Sequence, residues 1–494
     1  MTNPLDKIET YLNAKIKCDP DIVMQLPRIY LSAYTDNPIN AFLIAPSSEG
    51  KTYATVTVSE IFPKEDVIII GRMSPAALIH QNGELQDKDG FSIQDSIDFF
   101  DEKIAEAKGQ EKTEFKRQKR DLIRKSHMCV DLKNKILIFI DNPHQETYET
   151  LKPIMSHDKK EIVYKTTKGD GSLEVKESVI RNWPVFIFCS AKNEAKNEVW
   201  AEMKNRTLML SPNTDVKKYA EANKLTGQKF GLPTWCKSLY ENLEDKELSK
   251  DQIRILKERL NQLCEDGNNP VINVFNDKIS QLFPKNTAET MRHYARFNSL
   301  VNLETLINAD NNPALILEKD GKRVKSIFTT MNDIVNACKM LGNISTLPPD
   351  KIKFMDKVFT PLLSEKLDGT LTTTWLAEKY TAVFGKPIMP KQILENYCNY
   401  LEDSGILESE QEHIRAEKHY KIASIITLNN LDNLKSNLIE SSNANDLGVD
   451  SCLEQLHNHS IHLGFTDRFY EYDSRIITVD ELKSILLDES NHQK

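Results

Sequence analysis

The period of the hydrophobic positions changes several times along this chain, and each change marks a different kind of element. Over residues 1–37, Ile8, Leu12, Ile16, Val23, Leu26 and Leu31 recur at near-helical spacing, which predicts an N-terminal helical segment. Pro27 either opens its second helix or kinks it. Over 38–230 the pattern becomes continuous apolar runs at Phe42–Ile44, Val67–Ile70, Ile136–Ile140, Val185–Phe188 and Leu208–Leu210. Strands covered on both faces read this way, and helix-compatible stretches lie between them, so a doubly wound parallel α/β sheet is expected. A charged, helix-prone stretch at about 92–133, with acids first and bases later, predicts a helical hairpin or coiled-coil insertion. Two alternating runs around Lys168-Gly169-Asp170-Gly171 predict a β-hairpin over 161–180.

Beyond residue 230 helical spacing dominates. Residues 231–345 are expected to form a helical lid or linker, with helices such as Asp251–Cys264 and Ala288–Ile307. Over 346–427, three helices (Asp356–Lys366, Trp375–Tyr380 capped by Thr372–Thr374, and Lys391–Asp403) precede two strands around a polar loop. That is the order of a winged helix-turn-helix. Residues 428–494 are expected to be a C-terminal helical appendage.

Composition narrows the class. A chain of 494 residues with 39% hydrophobic content has material for several cores. A net charge of −9 excludes indiscriminate coating of nucleic acid and leaves room for a local basic channel. Eight scattered cysteines with no C-x-x-C pair point to a reducing compartment and offer no zinc site. With no apolar run of membrane-spanning length, the expectation is a cytoplasmic protein without membrane attachment.

The chemistry centres on Asn40–Tyr53, NAFLIAPSSEGKTY. It follows the phosphate-loop pattern G-x-x-x-x-G-K-[ST], with Ala45 in place of the first glycine. The nucleotide-binding set is Ser47, Ser48, Glu49, Gly50, Lys51, Thr52 and Tyr53. Backbone N–H groups wrap a phosphate at a helix N-terminus, Lys51 reaches the β- and γ-phosphates, and the Thr52 hydroxyl binds Mg2+. The run KILIFID ends in Asp141, the second Mg2+ residue. Asn142 stands where a water-polarising glutamate is usual, so the base is either Asp141 itself or Glu146. The cofactors expected are ATP and Mg2+.

A hairpin between the acid-ended strand and the next core strand resembles the pre-sensor-1 hairpin branch of the AAA+ ATPases. That branch includes the minichromosome maintenance helicases, the viral superfamily 3 helicases and branch-migration motors. The chain is also similar to little-characterised archaeal-type P-loop ATPases that carry the same insertion and the run Ser156–Asp158. The resemblance implies a P-loop core with helical lid and C-terminal winged helix, and a homo-oligomeric ring, a hexamer. Lys165 and Lys168 would grip DNA in the pore. Ser190 would be the polar sensor of the γ-phosphate, Arg206 an arginine finger for the neighbouring subunit, and Arg292 (with Arg296) a second sensor.

In the wing, Arg415 and Lys418, with His413, His419 and Lys421, are candidate nucleic-acid contacts; duplex binding and a protein–protein role both stay open. The bases of the insertion, such as Arg117 and Arg120, are open to the same two meanings, phosphate contact or a solvated face. The expected function is an ATP-dependent DNA translocase or helicase, in replication by analogy with the family, with replication or mobile-element proteins as partners. The alternative is an ATP-dependent DNA-binding initiator or loader that hydrolyses slowly, and a third possibility is a scaffold that keeps its nucleotide.

Overall fold

The structure, a computed structural model, describes residues 4–45, 48–71, 73, 83–141, 143, 145–167, 175–190, 206–213, 216–239, 243–265, 269–283, 288–342, 349–365, 369–403, 407–411, 418–422, 448–465 and 467–487. In chain order the first strands are β1 (Ala41–Ile44), β2 (Val67–Ile70), β3 (Glu84–Gln86), β4 (His127–Asp131), β5 (Ile136–Phe139), β6 (Glu161–Thr167), β7 (Val175–Arg181), β8 (Val185–Ser190) and β9 (Leu208–Leu210). The first helices are α1 (Asp6–Lys15), α2 (Pro20–Leu31) and α3 (Lys51–Ser59). The chain is α/β and divides into two compact units, Met1–Pro63 with Ser190–Lys494, and Lys64–Cys189.

In the first unit α2 opens at Pro20, whose fixed φ suits a first helical position. Pro27 therefore lies inside α2 and does not open it. α2 is buried on every side from Gln25 to Leu31, and there Arg28 donates to Glu9 (2.5 Å) and to Glu304 (2.6 Å). The chain then enters β1, every residue of which is buried. β1 runs parallel to β9 with Ala41 opposite Leu208 and Leu43 opposite Leu210. On leaving β1, the Ala45 N–H donates to the carbonyl of Ser190, 3.3 Å away.

Farther along this unit the helical expectation fails over 314–328 and again over 467–477. Ala314–Lys319 and Lys322–Phe328 form an antiparallel hairpin, turning at Asp320 and Gly321, both of which have positive φ. Asp467–Tyr472 from the C-terminal stretch adds to Ala314–Lys319. The resulting five-stranded sheet runs Val271–Ile272, Lys322–Phe328, Ala314–Lys319, Asp467–Tyr472, Arg475–Ile477. Residues 467–477 are thus a sheet component and not a helical appendage, because alternation in DRFYEY suits a half-buried strand.

Residues 349–422 hold the expected helix order closely. Helical residues run Pro349–Glu365, with one π-turn at Met355–Phe359, then Thr373–Phe384 and Pro390–Asp403. Thr372 caps the middle helix by accepting from Trp375 N–H at 3.4 Å, and Gly385 ends it at φ 65°. Leu407–Glu410 pairs antiparallel with His419–Ile422, which also pairs with Leu371–Thr372. Phe354, Val358, Leu376, Ile393, Leu401 and Tyr420 pack the core of this part.

In the second unit β2, β5 and β8 are parallel neighbours, with Val67 opposite Ile136 and Ile136 opposite Val185. β5 and the Val185–Phe188 part of β8 are fully buried, as their unbroken apolar runs predict, whereas Ile69 of β2 is half-exposed. The expected hairpin is present as β6 and β7, but it does not stand alone. β7 also pairs in parallel with β4, and β3 with β4, giving a four-stranded sheet in the order β3-β4-β7-β6. A two-stranded hairpin is only marginally stable in water, so recruitment of β4 from the insertion, and of β3 from just before it, is physically reasonable. The helical part of the insertion is Gln94–Glu106 and Gly109–Lys125, held by Phe100 against Phe115 and by an ion pair from Lys119 to Asp101.

Candidate functional site

β1 ends at the carboxyl edge of an interior parallel strand, between β9 on one side and the last residue of β8 on the other. Ligands in open parallel sheets bind beyond the carboxyl ends of strands. The chain there makes a short loop into α3. Ser48 (φ 71°) and Gly50 (φ 83°) both adopt left-handed conformations, which turn the backbone sharply before the helix. A Cβ added at Gly50 would meet nothing within 4 Å, so backbone conformation rather than space calls for glycine here. Gly50 is the N-cap of α3, and, being glycine, it offers no side chain to cap that end. The positive end of a helix left uncapped by a side chain suits an anion.

Lys51 is the first residue of α3 and is buried. Its ammonium donates to the carbonyl of Ala45 at 2.7 Å, so the side chain folds back across the loop instead of pointing into solvent. Thr52 and Tyr53 are exposed on the first turn of α3. The Tyr53 hydroxyl donates to the carbonyl of Lys15 (3.3 Å), and the Lys229 ammonium lies 5.5 Å from the centre of its ring. Ser47, with Pro46, falls outside the described residues.

The loop has a polar backing that motif reading misses. Tyr219 donates to both carboxylate oxygens of Glu49, at 2.8 and 2.9 Å. Lys218 donates to the Glu49 carbonyl (3.4 Å) and to the buried carboxylate of Asp19 (2.6 Å). The Asn213 N–H donates to the same Asp19 oxygen at 3.0 Å. Burial pushes the Asp19 carboxyl above the usual range, against the pull of Lys218. These partners are far apart in sequence and share no motif; Asp19 before Pro20 reads only as a helix N-cap.

The other sequence candidates are distributed as follows. Ser190 is buried and reaches the loop through its own carbonyl, which accepts from Ala45. Arg206 lies in the turn before β9. The β1–β9 register sets it level with residue 39, roughly 20 Å along the strands from Ala45 at 3.3 Å per residue. Arg206 and the loop of its own chain therefore sit at opposite ends of the strand pair. Arg292 is exposed on the helix Ala288–Ile307.

In the other unit, Asp141 follows β5 at its carboxyl end and is exposed. Glu146 is exposed in the first turn of Gln145–Met155, where a carboxylate also favours the helix dipole. Asn142 is outside the described residues. Lys165 stands opposite Glu177 across the hairpin and pairs with it at 2.9 Å. Lys418 pairs with Glu402 at 3.2 Å, and Lys421 with Glu410. Each of these described bases meets an acid, and Lys168 and Arg415 are outside the described residues.

Among the described residues, no group of three or more His, Cys, Asp or Glu side chains could hold a metal ion. A magnesium ion carried by a nucleotide needs no such cluster, since phosphates and one hydroxyl supply most of its oxygens. Among the described residues no helix is long and apolar enough to cross a membrane. No family model matches the chain, and no curated protein matches it.

Proposed function

We propose that this chain is an ATPase that binds nucleotide on the loop from Ala45 to Thr52 and uses hydrolysis to move DNA. One observation carries the reading: Lys51, first residue of an α-helix whose N-cap is glycine, is folded back onto Ala45 O behind a left-handed Gly50. An ammonium held this way exchanges a neutral carbonyl for a phosphate oxygen without leaving the loop. The charge-assisted bond it gains is roughly twice as strong as the neutral one it gives up. Thr52 is the residue of this loop that would hold magnesium, which neutralises charge developing on the phosphoryl oxygens.

The distance of Arg206 from its own loop supports a finger acting on a neighbouring subunit, and hence a homo-oligomeric ring, a hexamer in the family it resembles. The helix order and strand pair at 349–422 support a winged helix. The slow initiator reading draws on Asn142; the pairing of Lys418 and Lys421 with acids weakens its claim on duplex DNA through the wing. The test is ATP-driven strand displacement by the purified chain beside its phosphate release. Displacement that needs ATP supports the motor. ATP-dependent duplex binding without displacement replaces it by the initiator, and absence of nucleotide binding overturns both.

A further inference from the structure

Among the described residues, the strands that end a sheet are short, with one exception. β2, β3, β9 and the four edge strands of the other two sheets are two to four residues long. β6, which ends the sheet β3-β4-β7-β6, has seven residues. Proteins keep open edges short, charged, or broken by proline or a bulge, because free N–H and C=O groups pair with any strand that arrives. β6, EIVYKTT, is rich in β-branched residues and contains no proline. Its ladder with β7 runs without a bulge from Glu161 opposite Arg181 to Thr167 opposite Val175. Among the described residues no strand pairs with its outer side.

The register fixes which groups are open. The Asn182 N–H donates to the Lys160 carbonyl (2.7 Å), whereas the Arg181 carbonyl accepts from Leu132 on the far side of β7 (2.9 Å). Even positions of β6 therefore bond to β7, and the N–H and C=O groups of Glu161, Val163 and Lys165 point away from it. The side chains of these three share one face. On that face Val163 is 47% exposed, with an acid two positions before it and a base two positions after. Read from the opposite direction, the order becomes base, valine, acid. An antiparallel copy of the same strand thus sets Glu161 against Lys165, Val163 against Val163 and Lys165 against Glu161. The lysine that would guard this edge against other strands is answered by its own chain's sequence.

We propose that β6 pairs antiparallel with β6 of a second copy of this chain, about a two-fold axis at Val163. Glu161, Val163 and Lys165 each then give one N–H and receive one, as hydrogen-bonded pairs of an antiparallel ladder do. The ion pairs already on this face, Arg181 to Glu161 (3.0 Å) and Lys165 to Glu177 (2.9 Å), are extended and not broken. Across the axis the row reads Arg181, Glu161, then Lys165 and Glu177 of the second copy, so every charge lies between or beside opposite ones. A strand of another protein has no reason to carry an acid and a base at mirrored positions, whereas a second copy must. The contact is isologous and closes on itself. It joins one chain to one other, or one ring to a second ring, and rests on no part of the ATPase reading.

The experiment is sedimentation equilibrium of the full chain over a range of concentrations. The wild-type particle has twice the mass of the Val163→Pro particle, because that substitution removes an outward N–H and no bond of the β6–β7 ladder. Lys165→Glu sets like charges opposite each other on both sides of the axis, and so does Glu161→Lys; each weakens association about 10-fold or more. An equimolar mixture of these two variants associates again, since an all-acid edge then meets an all-base one. Misfolded chains give no such recovery, so the mixture decides even where thermal melting shows Val163→Pro to be unstable. Lys51→Ala keeps the wild-type mass, which separates this contact from the nucleotide site. A wild-type chain that stays unassociated overturns the pairing. So does a folded Val163→Pro particle of wild-type mass, or a mixture of the charge variants that stays apart.

Discussion

Lys51 and Ala45, six residues apart, are joined by a 2.7 Å hydrogen bond from the lysine ammonium to the alanine carbonyl. The loop thereby closes on its own lysine, and a buried cation stays solvated by backbone. Lys51→Ala is expected to remove ATP binding and turnover to background while the far-ultraviolet spectrum is unchanged. A fluorescent nucleotide analogue measures the first, and retained affinity would sink the assignment of this loop.

Gly50 has φ 83° with open space where a Cβ would stand. Gly50→Ala therefore costs conformational strain alone, about 1–2 kcal/mol in urea unfolding. Gly50→Asn is expected to cost less, because Asn tolerates the left-handed region. A larger loss in Gly50→Asn than in Gly50→Ala would show that side-chain space matters more than φ.

Arg206 and Lys51 stand at opposite ends of the β1–β9 pair, so a finger role requires two chains. Arg206→Ala is expected to lower ATP turnover by about 10³-fold or more. Mixing inactive Arg206→Ala with inactive Lys51→Ala chains restores part of the activity, because some sites then combine an intact loop with an intact arginine. No recovery from a verified mixed assembly would rule out action in trans.

His157 stacks on Trp183 (centroids 5.0 Å apart) with its Nε2 buried and unpartnered among the described residues. Burial lowers its pKa to about 4 from 6.5, with Asp158 opposing weakly. The folded pKa lies below the unfolded one, so the unfolded chain binds the proton first on acidification. Stability from this group is complete above pH 6.5 and is lost as pH falls toward 4, by about 3 kcal/mol in all. Urea midpoints at pH 7 and pH 4.5 measure it, and His157→Phe, which keeps a ring on Trp183, should flatten that part of the profile.

Arg28 bridges Glu9 and Glu304 in a buried site, where desolvation penalises each unpaired charge. Glu304→Ala is expected to cost about 3–5 kcal/mol, because it removes the fully buried partner of the Arg28 guanidinium and leaves it only Glu9, which is partly exposed. Arg28→Met combined with Glu304→Met should cost less than the single alanine variant. Equal costs would mean that lost packing, not the stranded charge, dominates.

Much of the site's frame was legible in short stretches. The apolar run into Gly50-Lys51-Thr52, the acid after β5, the hairpin at 161–181 and the helix order at 349–403 all rest on neighbours in sequence, and the described elements follow them. Strands from distant segments were not legible. Arg475–Ile477 and Asp467–Tyr472 read as part of a helical tail, yet they complete a sheet with Ala314–Lys319, more than a hundred residues earlier.

The sequence by itself determined where the chain could turn and where its helices could begin and end, because backbone conformation and helix capping depend on residues a few positions apart. Only the tertiary structure decided which charges remain available. It paired Lys165 with Glu177 and Lys418 with Glu402, and it set Lys218 against Asp19, 199 residues away, behind the loop. It also left Phe230 and Trp235 without cover. The reason is that charge pairing and burial act through space. A lysine's spacing in sequence carries no information about the carboxylate that folding brings to it.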